Sequence, residues 1–282
     1  MINDLDYFKH AANNYPVDDF EGFTSYEMHG LLYFPFDEKK SPLSLNTEVE
    51  SKLISKSSFY NHIIKYLEHL RENQPLKLTQ KGNLPRKFCR ELFDMGLIEG
   101  EMIISRNQIT REHDSLYIHA INVFTRLAGL TKKINWKISL TKKSVHFTDN
   151  KVPCEIYNYL FKKYVTKFNW GYSDGYPQSW IIQGSFGFTI FLVQKYGNDA
   201  RNIEFYSDKF LRAFPSAIQD YHGNIVFSAE EKFQNCYYLR VFKRFLKRFG
   251  LVNLVCTGDL LLRKTTITKT ELIDPVINWR TI

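Results

Sequence analysis

The fold is decided by two similar stretches of sequence, YIHAINVFTRLAGL at residues 117–130 and YLRVFKRFLKRFGL at residues 238–251. They align without a gap at an offset of 121 residues, and the first Tyr, the central Phe and the closing Gly-Leu pair are identical. Apolar residues recur in both at three- and four-residue spacing, which is typical of an amphipathic helix that ends at the glycine. Each copy then continues into an apolar, basic-tipped segment, with Leu140 aligned to Leu261. The sequence therefore predicts, twice, a long helix, a glycine stop and a short β-ribbon.

A second, weaker similarity precedes each copy. The LTQK of residues 78–81, followed by Pro85, resembles the LTKK of residues 140–143, followed by Pro153. Two similarities in the same order favour an internal duplication. The repeated unit would be a strand, a proline-initiated helix, a connector, a long helix, a glycine and a ribbon.

We predict a mainly α protein with small β-ribbons, built from two winged-helix-like units embedded in additional helices. Residues 1–58 form an N-terminal aromatic and helical segment that packs on the rest. The first winged-helix-like unit spans 59–150. The second spans 151–282 and contains a helical insertion at 169–228, since turn-forming residues and two further apolar helices separate its parts.

Composition narrows the class of protein. The 282 residues are 44% hydrophobic and carry a net charge of +8, with a pI of about 9.1. This balance excludes disorder and favours an anionic partner such as DNA, RNA or a lipid surface, although it also serves simple solubility. The four cysteines lack metal-ligand spacing. There is no secretion signal, and the apolar run at 185–193 is too short to cross a bilayer, so we expect a cytoplasmic protein without a membrane partner.

The helix of the second copy suggests a nucleic-acid surface. Opposite its apolar stripe lie five cationic side chains of the kind that contact phosphates: Arg240, Lys243, Arg244, Lys247 and Arg248. The alternative is a solvated face whose alkyl stems shield an aromatic core. The aligned positions of the first copy are far less charged, which argues against two identical readers of nucleic acid.

The ribbon of the first copy is the second candidate. Residues 124–143 (FTRLAGLTKKINWKISLTKK) resemble the helix and hairpin of bacterial winged-helix proteins, and the hairpin tip presents Lys132, Lys133 and Lys137. The resemblance implies a helix that lies in the major groove and a ribbon that reaches the flanking backbone. Many winged helices bind proteins instead, so this resemblance leaves nucleic acid and protein partners both open.

The loop at 169–178 (NWGYSDGYPQ) is a third candidate, for a ligand or a partner. It combines aromatic rings that could stack on a base or sugar with a carboxylate that could serve catalysis: Trp170, Tyr172, Asp174 and Tyr176. The alternative is an aromatic plug pinned over the core.

Enzymatic motifs are absent from the sequence, which has no P-loop, nucleophile elbow, zinc-protease motif or dinucleotide fingerprint. We therefore expect no cofactor and no metal, and an enzyme only if a site forms near Tyr172 and Asp174. The leading hypothesis is nucleic-acid binding, for which a regulatory role is considered. The nearest alternative is a protein-interaction module.

Several segments together are similar to a bacterial family of about this length. They are GFTSYEMHGLLYFPFDEKKSPL at 22–43, LKLTQKGNLPRKFCREL at 76–92, NWGYSDGYP at 169–177 and FLRAFP at 210–215. That family is uncharacterised, so the resemblance implies neither an activity nor a catalytic residue.

Overall fold

The computed structural model describes residues 13–98, 105–223, 225–257 and 264–280. It is mainly α-helical with small antiparallel sheets, which confirms the predicted mainly α class with small β-ribbons. The chain forms two compact units. We call residues 50–168 the central unit, and the described residues up to Val49 together with those from Asn169 onward the split unit.

The elements follow in chain order. The helices are α1 (Ser25–Tyr33), α2 (Ser51–Ile54), α3 (Ser58–Asn73), α4 (Arg86–Asp94), α5 (Leu116–Leu127), α6 (Lys142–Asn150), α7 (Pro153–Lys167), α8 (Trp180–Gly184), α9 (Phe186–Tyr196), α10 (Ile203–Ala213), α11 (Ala229–Tyr237) and α12 (Ile273–Val276). The strands are β1 (Leu43–Leu45), β2 (Leu76–Lys77), β3 (Thr131–Ile134), β4 (Lys137–Leu140), β5 (Arg201–Asn202), β6 (Val252–Thr257), β7 (Lys264–Lys269) and β8 (Ile277–Trp279). Short 3₁₀ helices cover Asp18–Phe20, Arg106–Gln108, Glu112–Asp114 and Pro215–Ile218.

The central unit runs α3, β2, α4, α5, β3, β4, and its antiparallel sheet has the order β2-β4-β3. Helix α3 begins where the Ser57 side chain accepts a hydrogen bond from the Tyr60 amide. The apolar faces of α3 and α5 meet in the core, where the rings of Phe59 and Phe124 lie 5.1 Å apart. Helix α7 packs against α2, α3 and α5 in the same unit.

The split unit repeats this arrangement. It runs α9, β5, α10, α11, β6, β7, and its sheet has the order β5-β7-β6. Helix α11 continues without a break as a π-helix over Tyr238–Leu246. Strand β5 and helix α10 lie within residues 169–228, the segment predicted from the sequence to be an insertion. The proline-initiated helix α7 instead belongs to the central unit, because its buried aromatic face, including Tyr164, packs on Phe59 and Phe124.

Both long helices end in the same way. Gly129 and Gly250 have φ of +69° and +75°, left-handed values that glycine adopts without strain. In both copies the following leucine amide bonds to a carbonyl five residues earlier, at 2.8 Å. A threonine at the end of the last strand closes each sheet, since the Thr141 and Thr270 hydroxyls donate to the two glycine carbonyls. Leu261 lies outside the described residues.

Helix α9 contains the most apolar run of the chain. Its side chains from Phe186 to Val193 are mostly buried, including Phe188, Ile190 and Leu192, as the sequence predicts for a core helix. Within the residues that the structure describes, no helix is both long and apolar enough to cross a membrane.

Candidate functional site

The positive charge of the protein is concentrated in the central unit. Residues 50–168 contain 21 Lys and Arg against 11 Asp and Glu, a net charge of +10. The remainder of the sequence contains 17 against 19, a net charge of −2. An anionic partner would therefore be attracted to the central unit.

The three-stranded sheet of this unit presents lysines on its outer face. In the strand register, Lys137 of β4 lies directly between Lys77 of β2 and Ile134 of β3. Lys132 pairs with Ser139, two residues beyond Lys137 and hence on the same face. The opposite face is buried through Ile138 and Leu140, which anchors the strands on the core.

Two further lysines, Lys133 and Lys81, lie near the turn of the β3–β4 hairpin. The Nζ of Lys133 lies 5.0 Å from the ring centroid of Trp136, within cation–π range. It also lies against Gly82, where a Cβ would approach Lys133 Nζ to 2.5 Å. Lys81 precedes Gly82 in the turn between β2 and α4 and is exposed. We call Lys77, Lys81, Lys132, Lys133 and Lys137 the cationic ribbon.

The cationic ribbon has no internal counter-charge. All five side chains are exposed, and within the described ranges none of them forms an ion pair. Elsewhere on the unit, Arg71 lies 2.6 Å from Asp149 and Arg106 lies 2.7 Å from Asp94. Like charges directly opposite each other in a sheet are destabilising, as Lys77 and Lys137 are here. The fold therefore retains a repulsion that an external anion would relieve.

A buried carboxylate holds the turn that carries Lys81. Glu112 is 1% exposed and accepts hydrogen bonds from the Leu84 amide at 2.5 Å, from Asn122 at 2.8 Å and from His119 at 2.6 Å. Burial opposes its charge, but the bonds from His119, Asn122 and Leu84 lower the pKa of Glu112 below its ordinary value. Because Leu84 precedes α4 and the other two donors lie on α5, this carboxylate ties the β2–α4 turn to the long helix.

The outward side of α5 carries an apolar stripe and one exposed cation, Arg126. Leu116 and Leu127 are exposed, with the partly exposed Ala120 and Val123 between them at helical spacing. The polar residues His119 and Asn122 point inward to Glu112. This helix presents no row of cations to a phosphate backbone.

The helix of the split unit directs its central arginine inward. Arg240 is 2% exposed and the Asp174 side chain is 0% exposed. Arg240 Nε donates to Asp174 Oδ2 at 2.7 Å and Nη2 donates to Oδ1 at 3.0 Å, a bidentate pair. Burial opposes the guanidinium charge, but the bond to Asp174 raises the pKa of Arg240 above its ordinary value. Arg240 is therefore committed to an internal carboxylate.

The remaining cations of this helix are divided between the interior and the surface. Arg244 donates to the Tyr172 carbonyl at 3.1 Å, and Arg248 is buried. Lys243 is partly exposed and Lys247 is exposed. The apolar stripe was predicted for a regular α-helix. Residues 238–246 form a π-helix, whose wider turns change which side chains share a face. Two of the five predicted cations, Arg240 and Arg248, are thus buried in the protein.

The aromatic loop packs over this helix. Trp170 is buried with its ring centroid 4.5 Å from that of Phe245. Asp174 clamps the loop to Arg240, and its Oδ1 also accepts the Tyr176 amide at 3.0 Å. Tyr176 is partly buried and Tyr172 is exposed. The loop therefore packs over the core through Trp170, and its carboxylate, Asp174, is already paired with Arg240.

Sequence reasoning missed Lys77 and Lys81. The strand and turn that contain them, PLKLTQKGNLP at 75–85, are visible in the sequence. Their pairing with the hairpin at 131–140 is a long-range contact that no local pattern encodes. Only the strand order expected of the unit could have placed them beside Lys137.

Within the described part of the chain, no cluster of His, Cys, Asp and Glu could hold a metal ion. In comparison with known proteins, the family model of the Y4jL N-terminal domain matches residues 55–152. Neither a curated protein nor a solved structure matches the chain. The matched residues lie inside the central unit. The match confirms the resemblance to a family without a known activity, and over this segment the chain is similar to the Y4jL N-terminal domain.

Proposed function

We propose that the protein binds nucleic acid through the central unit, which acts as a winged-helix-like module. The observation that carries the proposal is the cationic ribbon: four exposed lysines on one small sheet and a fifth in the adjoining turn, none of them in an ion pair within the described residues. The order of helices and strands is the one expected from the sequence for such a unit. The family match covers the same segment but adds no activity to it.

The chemistry of the ribbon favours contact with the phosphate backbone. Lysine is a mobile point charge without the planar fork that lets arginine recognise guanine. Backbone contacts set affinity and position but carry no sequence information. Since α5 also presents an apolar stripe on its outward side, we expect weak dependence on base sequence and strong dependence on salt.

The proposed surface differs from the surface predicted from the sequence. Lys132, Lys133 and Lys137 remain in it, joined by Lys77 and Lys81. Arg240 and Arg248 do not, because a buried guanidinium cannot reach a phosphate. Lys247 is exposed, but it lies on a unit whose net charge is −2.

The test is a titration of the full chain against a fluorescent duplex of about 20 base pairs. One variant carries Lys132→Glu, Lys133→Glu and Lys137→Glu. Its matched control carries Lys52→Glu, Lys162→Glu and Lys167→Glu, three exposed lysines of the same unit, and so has the same net charge. We expect the ribbon variant to lose at least about tenfold in affinity and the control to lose less than about threefold. Equal losses would attribute binding to net charge alone, and no binding by the unaltered protein to this duplex or to a single strand of the same length would reject the proposal.

The apolar stripe of α5 favours a second candidate function, protein interaction. Leu116 and Leu127 expose large aliphatic side chains on the helix that a winged-helix module would present to its partner. A variant with Leu116→Glu and Leu127→Glu should then lose a stoichiometric protein partner that survives nuclease treatment, while it still binds the duplex. If the variant retains every protein that the unaltered chain retains, this candidate is excluded.

A further inference from the structure

The tip of the ribbon places a tryptophan where the backbone disfavours one. Ile134 pairs with Lys137, so Asn135 and Trp136 form a two-residue hairpin turn. Their φ values are +49° and +59°, in the left-handed region. Such turns favour Asn, Asp and Gly, and a bulky residue at positive φ is uncommon. Folding alone would favour glycine at position 136.

The side chain at this position is open. Trp136 is 56% exposed, and its neighbour Ile134 is similarly exposed. The turn itself is fixed by its backbone, since the Trp136 carbonyl accepts the Leu78 amide at 2.8 Å. The ring is therefore displayed by a held turn rather than being required to close a core.

The surroundings of the ring suit an anionic ligand with a flat face. Lys133 lies over the ring, and Lys81 is exposed in the adjoining turn. Lys132 and Lys137 are exposed on the other face of the same narrow sheet, because Lys133 pairs with the buried Ile138. Aromatic rings stack on bases whatever their sequence, while cations beside them follow the phosphates. A base within a continuous duplex has no free face, whereas a base in a single strand does.

We propose that Trp136 stacks on an unpaired base, so that the ribbon takes single-stranded nucleic acid in preference to continuous duplex. This inference rests on the proposed function and names the form of its ligand. The lysines would supply affinity that any nucleic acid shares. Trp136 would supply the preference for the single strand.

The experiment compares a single strand of about 20 nucleotides with a duplex of about 20 base pairs closed at both ends by loops. Full-length Trp136→Ala, Trp136→Phe and Trp180→Ala are titrated against both. Trp180 is the matched control, since it is 60% exposed on the split unit. We expect Trp136→Ala to weaken single-strand binding by about 5- to 150-fold and duplex binding by less than about twofold. Trp136→Phe should retain most single-strand affinity, and Trp180→Ala should change neither.

A folding control is available at the same position. Trp136→Gly suits the left-handed backbone, so its thermal midpoint should be no lower than that of the unaltered protein while its single-strand affinity falls as in Trp136→Ala. An equal loss on both ligands would make Trp136 an apolar wedge for duplex and overturn the inference. Unchanged single-strand affinity would also overturn it. In both cases duplex binding that depends on the ribbon would leave the proposed function standing, whereas no binding to either ligand would reject both.

Discussion

The two long helices, α5 and the helix at 229–246, share a position in the same order of elements but use their polar residues differently. In α5 the inward polar residues are His119 and Asn122, which bond to Glu112, and the outward stripe is apolar. In the second helix the inward polar residue is Arg240, which bonds to Asp174. Two helices at equivalent positions of a repeated backbone therefore do not present the same surface. Among the described residues, the central cation of the second helix is paired with a buried carboxylate, whereas the lysines of the ribbon in the central unit are exposed.

Breaking the Arg240–Asp174 pair should destabilise the protein most. Arg240→Met leaves a fully buried carboxylate with only the more distant Arg244, whose Nη1 lies 3.9 Å from Asp174 Oδ2. This should lower the free energy of unfolding by about 3–5 kcal/mol. The double variant with Asp174→Leu should cost less than the single one, because it removes both charges. Urea unfolding followed by circular dichroism measures both.

Asp199→Asn is the control for this pair. Asp199 is 75% exposed beside Arg201, so its loss should change the unfolding free energy by less than about 0.5 kcal/mol. A cost of similar size for Arg240→Met would show that its guanidinium reaches solvent, and would return it to the candidate surface.

The equivalent change in the central unit is Glu112→Ala. It leaves the Leu84 amide and the side chains of His119 and Asn122 without their acceptor, which should cost about 2–3 kcal/mol. Hydrogen exchange at Leu84 should accelerate because the β2–α4 turn is released. Glu68→Gln, at an exposed ion pair with Lys151, is the control and should leave that exchange unchanged.

A third prediction concerns acid stability of the split unit. Burial opposes the charge of Glu21, but hydrogen bonds from Lys209, Tyr196 and Lys195 lower its pKa from 4.5 to about 2. A carboxylate whose folded pKa is depressed stabilises above its unfolded pKa, and that stabilisation is lost as the pH falls through the folded value. Glu21→Gln should therefore cost about 1–2 kcal/mol above pH ~5, discounted because Lys195 is partly solvated, and progressively less toward pH ~2.

Unfolding of Glu21→Gln and of the unaltered chain across this pH range measures the difference. A gap between the two proteins that stays constant with pH would show that Glu21 is not charged in the folded state through these contacts.

The smallest effect has opposite signs for stability and binding. Lys77→Glu replaces a like-charge pair with Lys137 by an attractive one, which should raise the unfolding free energy by about 0.2–1 kcal/mol. The same change should weaken nucleic-acid binding, because it removes one cation of the ribbon. Thermal unfolding and a duplex titration of one preparation test both. A variant that is both less stable and unaltered in binding would contradict the account of the ribbon.

The sequence predicted the fold class and both glycine stops, because these depend on local periodicity and on the left-handed preference at Gly129 and Gly250. The hairpin that carries Lys132, Lys133 and Lys137 was also predicted, from the resemblance of residues 124–143 to winged-helix proteins, and the pairing of β3 with β4 confirms the hairpin. The burial of Arg240 was not, because its partner Asp174 lies 66 residues away in a loop. From the sequence, the second unit was predicted to begin with α7, because Pro153 precedes a Leu-Phe pair at the same spacing as Pro85 does before α4. The pairing of β5 with β7, which marks the observed unit, is a long-range contact.

The most direct measurement is the salt dependence of duplex binding by two double variants of equal charge. One carries Lys132→Glu and Lys137→Glu in the ribbon, and the other carries Lys243→Glu and Lys247→Glu on the helix of the split unit. The account predicts that the ribbon variant flattens the slope of log affinity against log salt by about 1.8, about 0.9 for each lost phosphate contact, while the helix variant leaves it unchanged. A flattened slope for the helix variant alone would place the phosphate contacts on the split unit and contradict the account.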